Sequence, residues 1–194
     1  MKRQLTASDI LPPAEYEKIR PERRAAIIAE KQSRRVAVGP YATFYFENYD
    51  TMWLQVEEML RIEKGGAEQL KDELQAYNPL IPQGRELVAT VMFEIDDPAR
   101  RATFLATLGG VENHMELRMG GQAIKGKAER DLDYTSAEGK ASSVQFVHFP
   151  FTAEQIVKFR APVAEIAVAI THPSYSHMAI MPQPVKESLA KDFS

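Results

Sequence analysis

No cysteine occurs anywhere in the 194 residues. That absence excludes disulfides, thiolate zinc sites, iron–sulfur ligation and cysteine nucleophiles together. Long apolar runs are missing too. Stretches such as Ile166–Ile170 are strand-sized, far short of the roughly 20 residues that span a bilayer. The opening MKRQLTASDILPP lacks the apolar segment of a signal peptide, so a cytoplasmic, non-membrane protein is expected. There is no Gly-x-Ser-x-Gly elbow and no triad-like spacing of Ser and His, which removes support for acyl transfer. Net charge is only −3, too mild to imply a partner by itself.

Present instead is an ordinary globular composition, 44% hydrophobic and 26% charged. It fits one domain with its own core. Residues 1–35 read as an N-terminal helical arm, 36–181 as an α+β core and 182–194 as a short helical or frayed tail. In the arm, Pro21 suits the first position of a helix running to about Arg34. From Val36 the period becomes two, with Val36, Val38, Ala42, Phe44 and Phe46 on one face of an extended segment bent at Gly39-Pro40. Asp50 or Thr51 then caps a helix through Glu63 that carries Trp53, Val56 and Leu60 on one stripe. Leu70, Leu74 and Tyr77 mark a second helix, which stops before Pro79.

Arg85–Ile95 alternates cleanly, Asp97-Pro98 opens a helix, and Met115, Leu117 and Met119 predict another strand. Further strands are expected over Ser142–Phe149, Val163–Thr171 and Ser176–Met181, the last two as a hairpin around Pro173. Thr152-Ala-Glu-Gln155 is a capping box between them. Helices and strands are segregated rather than alternating. The expected fold is therefore α+β, a mostly antiparallel sheet of about five to seven strands with helices on one face.

Gly121-Gln-Ala-Ile-Lys-Gly126-Lys127 has the spacing of a phosphate-binding loop. The residue after the lysine is Ala128 rather than a magnesium-binding Ser or Thr, and the preceding strand carries Glu116 and Arg118. A central parallel strand would be apolar on both faces. A Gly-Gly hairpin explains the motif better.

Two features carry functional weight. The first is Lys18–Arg35, with seven basic residues against two acids. Arg23, Arg24, Arg34 and Arg35 make it a docking arm for an acidic protein surface. Nucleic acid is disfavoured, because no aromatic interleaving or helix-turn-helix accompanies the charge. The second is the histidine set. His148, His172 and His177 fall on the last three expected strands or their junction, and convergence with Glu94 (or Glu165) would make a site for zinc, iron, manganese or nickel. No local metal motif such as HExxH supports it. The acids Glu57 and Glu58 read as a solvated helix face, with Glu57 paired to Arg61 at i, i+4. Homo-oligomerisation is compatible with this size, but no sequence surface argues for it.

Several stretches together resemble a known family. They are RRVAVG at Arg34–Gly39, FENYDT at Phe46–Thr51 leading into QVEEMLRIE at Gln55–Glu63, YNPL at Tyr77–Leu80, ELVAT at Glu86–Thr90 and HPSYSH at His172–His177. The resemblance is to the bacterial domain-of-unknown-function family numbered 3501 and covers essentially the whole chain. It implies no catalytic residue. It implies a context, since members tend to be encoded beside rubrerythrin-like and iron–sulfur proteins. The expectation is an accessory or interaction protein of a redox or oxidative-stress pathway, with a His/carboxylate metal protein or metal-dependent enzyme as the alternative.

Overall fold

A computed structural model describes residues 2–129 and 134–194. Among the described residues, nine strands form two antiparallel sheets. The first contains β1 (Arg35–Val38), β2 (Ala42–Phe46), β3 (Glu86–Phe93), β7 (Val144–Pro150) and β6 (Lys127–Ala128), in that spatial order. The second runs β5 (Gln122–Lys125), β4 (Met115–Met119), β8 (Ile166–His172), β9 (Tyr175–Ile180). The α+β class, the antiparallel pairing and the N-terminal helix are as expected; the division of the strands between two sheets is an added feature.

The alternation read from sequence explains the packing. Val36, Val38, Phe44, Phe46, Leu87, Val91 and Phe149 of the first sheet face Met115, Leu117, Val168 and Ile170 of the second in one core. Full burial of each such side chain contributes about 1.5–3 kcal/mol. Four further elements feed this core: α4 (Pro98–Leu105) through Leu105, α5 (Ala153–Arg160) through Ile156 and Phe159, α6 (Gln183–Leu189) through Val185 and Leu189, and the C-terminal Phe193.

The other face of the first sheet has its own core. There α1 (Pro13–Gln32), α2 (Tyr49–Glu63) and α3 (Gly66–Tyr77) lie over Val88 and Phe146, with Tyr16, Ile27, Trp53 and Val56 between them. The molecule thus has three layers: helices, five-stranded sheet, four-stranded sheet.

Two local expectations are corrected. The segment Val36–Phe46 is a hairpin, β1 against β2 with Val38 opposite Ala42, rather than one bent strand. The arm helix starts at Pro13, so Pro21 lies inside it. An interior proline costs a helix about 3 kcal/mol. The first two turns are nevertheless held, because Tyr16 packs edge-on against Trp53 at 5.8 Å and donates its hydroxyl hydrogen to Glu58 at 2.6 Å.

The glycine pair beside the phosphate-loop-like spacing is the turn of the β4–β5 hairpin, as expected. Met119 pairs with Gln122 across Gly120-Gly121, whose φ angles are +53° and +78°. A two-residue turn of this kind requires φ > 0 at both positions. Just beyond, Gly126 lets the chain leave the second sheet and enter the first. A Cβ there would lie 2.5 Å from Val147 Cγ1 and 2.9 Å from the Met115 carbonyl oxygen. Gly126→Ala is expected to lower stability by about 1–3 kcal/mol, the usual range for overpacking. Urea unfolding checks this, and a loss below about 0.5 kcal/mol would mean that the corner relaxes freely.

Candidate functional site

Only two residues of the arm helix α1, Tyr16 and Ile27, are buried. Its basic residues are largely engaged within the chain. Arg20 Nε donates to Glu58 Oε1 at 2.7 Å and Arg24 Nη1 to Glu58 Oε2 at 3.3 Å. The Arg20 hydrogen bond is the main reason that the Glu58 carboxyl is held down to about 2, against opposing burial. Arg23 stacks on Trp53, its guanidinium carbon 4.6 Å from the ring centroid, and approaches Asp50 at 3.7 Å. Arg23 and Arg24 still leave 42% and 43% of their side chains open to solvent. Arg35 is exposed on β1.

Arg34 does not belong to this face. It is 2% exposed, and its guanidinium binds the Phe46 and Glu47 carbonyls, Ser188 Oγ and both oxygens of Asp192. The adjacent basic pair Arg34-Arg35 alternates across a strand, so one side chain goes in and the other out. The outermost line of α1 is apolar and small, with Ala25, Ala26 and Ala29 exposed beside Ile28, which is 53% exposed.

Helix α2 differs from the expected solvated acidic face. Asn48, not Asp50 or Thr51, caps it by accepting from Thr51 N at 3.0 Å. Glu57 does not pair with Arg61. It is buried and accepts the Leu11 backbone N–H at 2.8 Å, while Arg61 pairs with Glu17 of α1.

The histidines do not converge. His148 lies on β7 of the first sheet, opposite Val88 on the helix-covered face. His172 and His177 lie on β8 and β9 of the second sheet. Both His172 nitrogens are engaged, Nδ1 accepting from Ser174 N at 3.2 Å and Nε2 directed at the Gly109 carbonyl at 3.3 Å. A ring that accepts at Nδ1 is left with Nε2 as its donor. Its ring packs edge-on against His114 at 5.2 Å. His177 is exposed, with its ring 4.4 Å from that of Tyr175. Glu94, also exposed, accepts from the Tyr45 hydroxyl at 2.9 Å. Among the described residues no group of three or more His, Asp or Glu side chains is arranged to hold a metal ion. The expectation of a shared centre at His148, His172, His177 and Glu94 is therefore corrected: His172 and His177 share the β8–β9 hairpin, but His148 and Glu94 belong to the first sheet and its margin.

What sequence reasoning missed is a carboxylate–imidazole–carboxylate chain. His148 Nδ1 lies 3.0 Å from Glu86 Oε2 and Nε2 lies 2.7 Å from Glu129 Oε2. The three belong to β3, β7 and the residue after β6, so only strand pairing brings them together. Both ring nitrogens can donate only when the imidazole is protonated. Burial disfavours the charge, but the two carboxylates outweigh it and the pKa of His148 is raised. A raised histidine stabilises the fold fully below its unfolded value, and that contribution disappears as pH climbs through the folded value. His148→Gln should therefore lower the melting temperature more at pH 6 than at pH 9; an equal loss at both would contradict a charged ring.

The chain matches the family described as protein of unknown function (DUF3501) over residues 4–193. It belongs to this family. Its fold is also that of a solved structure, described as a novel protein of unknown function from Burkholderia pseudomallei K96243. The two are 32% identical, with a TM-score of 0.91, over 98% of this chain and 100% of the other. No curated protein matches. Family membership covers both sheets and the helical layer, so α1 and its basic residues lie within the matched region. No described helix is long and apolar enough to cross a membrane.

Proposed function

We propose that this DUF3501 chain is an accessory protein that docks an acidic protein partner through α1. The observation that carries the proposal is the make-up of the α1 outer face. An apolar line centred on Ile28 and flanking alanines is bordered by the half-open cations Arg23 and Arg24, with Arg35 exposed nearby on β1. An apolar centre with a polar, charged rim is the usual anatomy of a protein interface. The rim cations are also positioned in advance, Arg23 on Trp53 and Arg24 on Glu58, which lowers the ordering cost on binding. The redox or oxidative-stress setting that the family resemblance implies is part of the same proposal, as is a cytoplasmic location.

Chemical crosslinking in cells tests the docking face. Lys18 and Lys31 of α1 supply the reactive amines. Crosslinks from these lysines to one acidic protein are expected. They should vanish in an Arg23→Glu, Arg24→Glu, Arg35→Glu variant and weaken severalfold in Ile28→Glu, with folding confirmed by circular dichroism. Crosslinks that survive charge reversal in a folded variant would overturn the proposal.

A further inference from the structure

Between the N-terminal segment and helices α1, α2 and α3 lies a cavity of about 580 Å³. Ile10, Leu11, Pro13, Tyr16, Leu60 and Leu70 supply most of its wall. Glu17, Arg61 and Lys64 also line it but stay open to solvent, Glu17 and Arg61 as an ion pair, and Glu57 is the one buried charge among them. Glu57 lines the cavity and is only 3% exposed. Its Oε1 accepts the Leu11 N–H at 2.8 Å, and this is the sole hydrogen bond its carboxyl makes among the described residues. Oε2 is left without a protein partner.

Oε2 is open to the cavity rather than sealed, since the only sealed side-chain oxygen or nitrogen without a partner among the described residues is Gln145 Oε1. A chain that needed only to pack α1 on α2 could place leucine or methionine here without burying most of a carboxyl side chain. The neighbouring cations do not pair with it. Arg61 pairs with Glu17 at 2.5 Å, Arg20 and Arg24 are held by Glu58, and Lys64 lies exposed after α2. Burial raises the pKa of Glu57, with the Leu11 hydrogen bond opposing, as expected for a carboxyl in an apolar wall.

We propose that this cavity binds a small apolar molecule through a hydrogen-bond-donating head group, such as an ammonium or hydroxyl, that docks on Glu57 Oε2. The volume lies within the usual 300–1,000 Å³ of small-molecule sites, and a mostly apolar wall with a small number of placed polar groups is their usual composition. A carboxylate acceptor selects donors and rejects anions, so head-group chemistry rather than chain length decides affinity. The site is separate from the outer face of α1 and stands or falls independently of partner docking there.

Titration of the full chain with n-octylamine, n-octanol and sodium octanoate tests the inference, read by the fluorescence of Trp53, which packs against the cavity residue Tyr16. Saturable binding of the amine or the alcohol is expected, with octanoate at least tenfold weaker. Glu57→Gln should weaken the donor ligands tenfold or more and erase the discrimination against octanoate. Ala67→Trp, at the cavity lining on α3, should abolish binding of all three and provides a second variant should Glu57→Gln fail to fold. The inference is overturned if no probe binds up to its solubility limit, which would assign Oε2 to water alone. Equal binding of octanoate, or a folded Glu57→Gln chain that binds as the unaltered chain does, would overturn it as well.

Discussion

Arg34→Met is expected to cost about 3–5 kcal/mol of folding stability, the range for stranding one member of a buried ion pair. Arg34 is 2% exposed and the Asp192 side chain is fully buried, with Nη2 to Oδ2 at 2.5 Å and Nη1 to Oδ1 at 3.2 Å. The same guanidinium reaches the Phe46 carbonyl at 2.9 Å and the Glu47 carbonyl at 3.0 Å. It therefore joins three parts of the chain: the end of the arm, the β2–α2 junction and the segment after α6. Methionine fills much of the volume but leaves a carboxylate in a low-dielectric site with no counter-charge. Replacing both partners, as Arg34→Met with Asp192→Leu, should recover most of the loss, because desolvation is then no longer demanded of either group. Denaturant unfolding of the two variants separates these contributions. If the single variant lost less than about 1 kcal/mol, the pair would be solvated in solution.

Tyr175→Phe is the second large effect, at about 2–4 kcal/mol from the loss of one hydroxyl group. On the margin opposite the Gly126 corner, the sheets are tied by that hydroxyl. It accepts from Tyr41 N at 2.9 Å and Ala42 N at 3.1 Å, and donates to the Val38 carbonyl at 2.7 Å. The ring lies among Phe93 and Phe104 at 5.9 and 5.6 Å, so phenylalanine keeps the packing and removes only the hydrogen bonds. Buried donors left without acceptors cost about 1–3 kcal/mol each. Amide exchange at Tyr41 and Ala42 should accelerate in step with the loss. Unchanged exchange there would show that the turn holds itself.

The local patterns in the sequence carried through because they depend on neighbours in the chain. The alternation of Leu87, Ala89, Val91 and Phe93 is the buried face of β3, and the stripe of Trp53 and Val56 is the buried side of α2. Thr152 caps α5 by accepting from Gln155 N, as its capping box implies. Non-local partnerships were not legible. Arg34 looked like one more arm cation because Asp192 lies 158 positions away. Glu57 matched an i, i+4 pair with Arg61, yet Arg61 turns to Glu17 and Glu57 turns inward to Leu11. The histidine set failed for a related reason: strand order decides which rings share a face, and β7 pairs with β3 whereas β8 pairs with β4. A sharper signal was available for Glu57, which shares its side of α2 with Trp53 and Leu60 at helical spacing. An acid in that position is a candidate for burial.

Hydrogen–deuterium exchange of the full chain, with and without the purified protein found crosslinked to it, tests docking through α1 most directly. Protection concentrated at residues 20–35, lost in 0.5 M salt and absent in the Arg23→Glu, Arg24→Glu, Arg35→Glu variant, is the predicted result. Protection appearing instead on the solvent face of the second sheet, around Ala167, Met178 and Ile180, with α1 exchanging as freely as before, would contradict it.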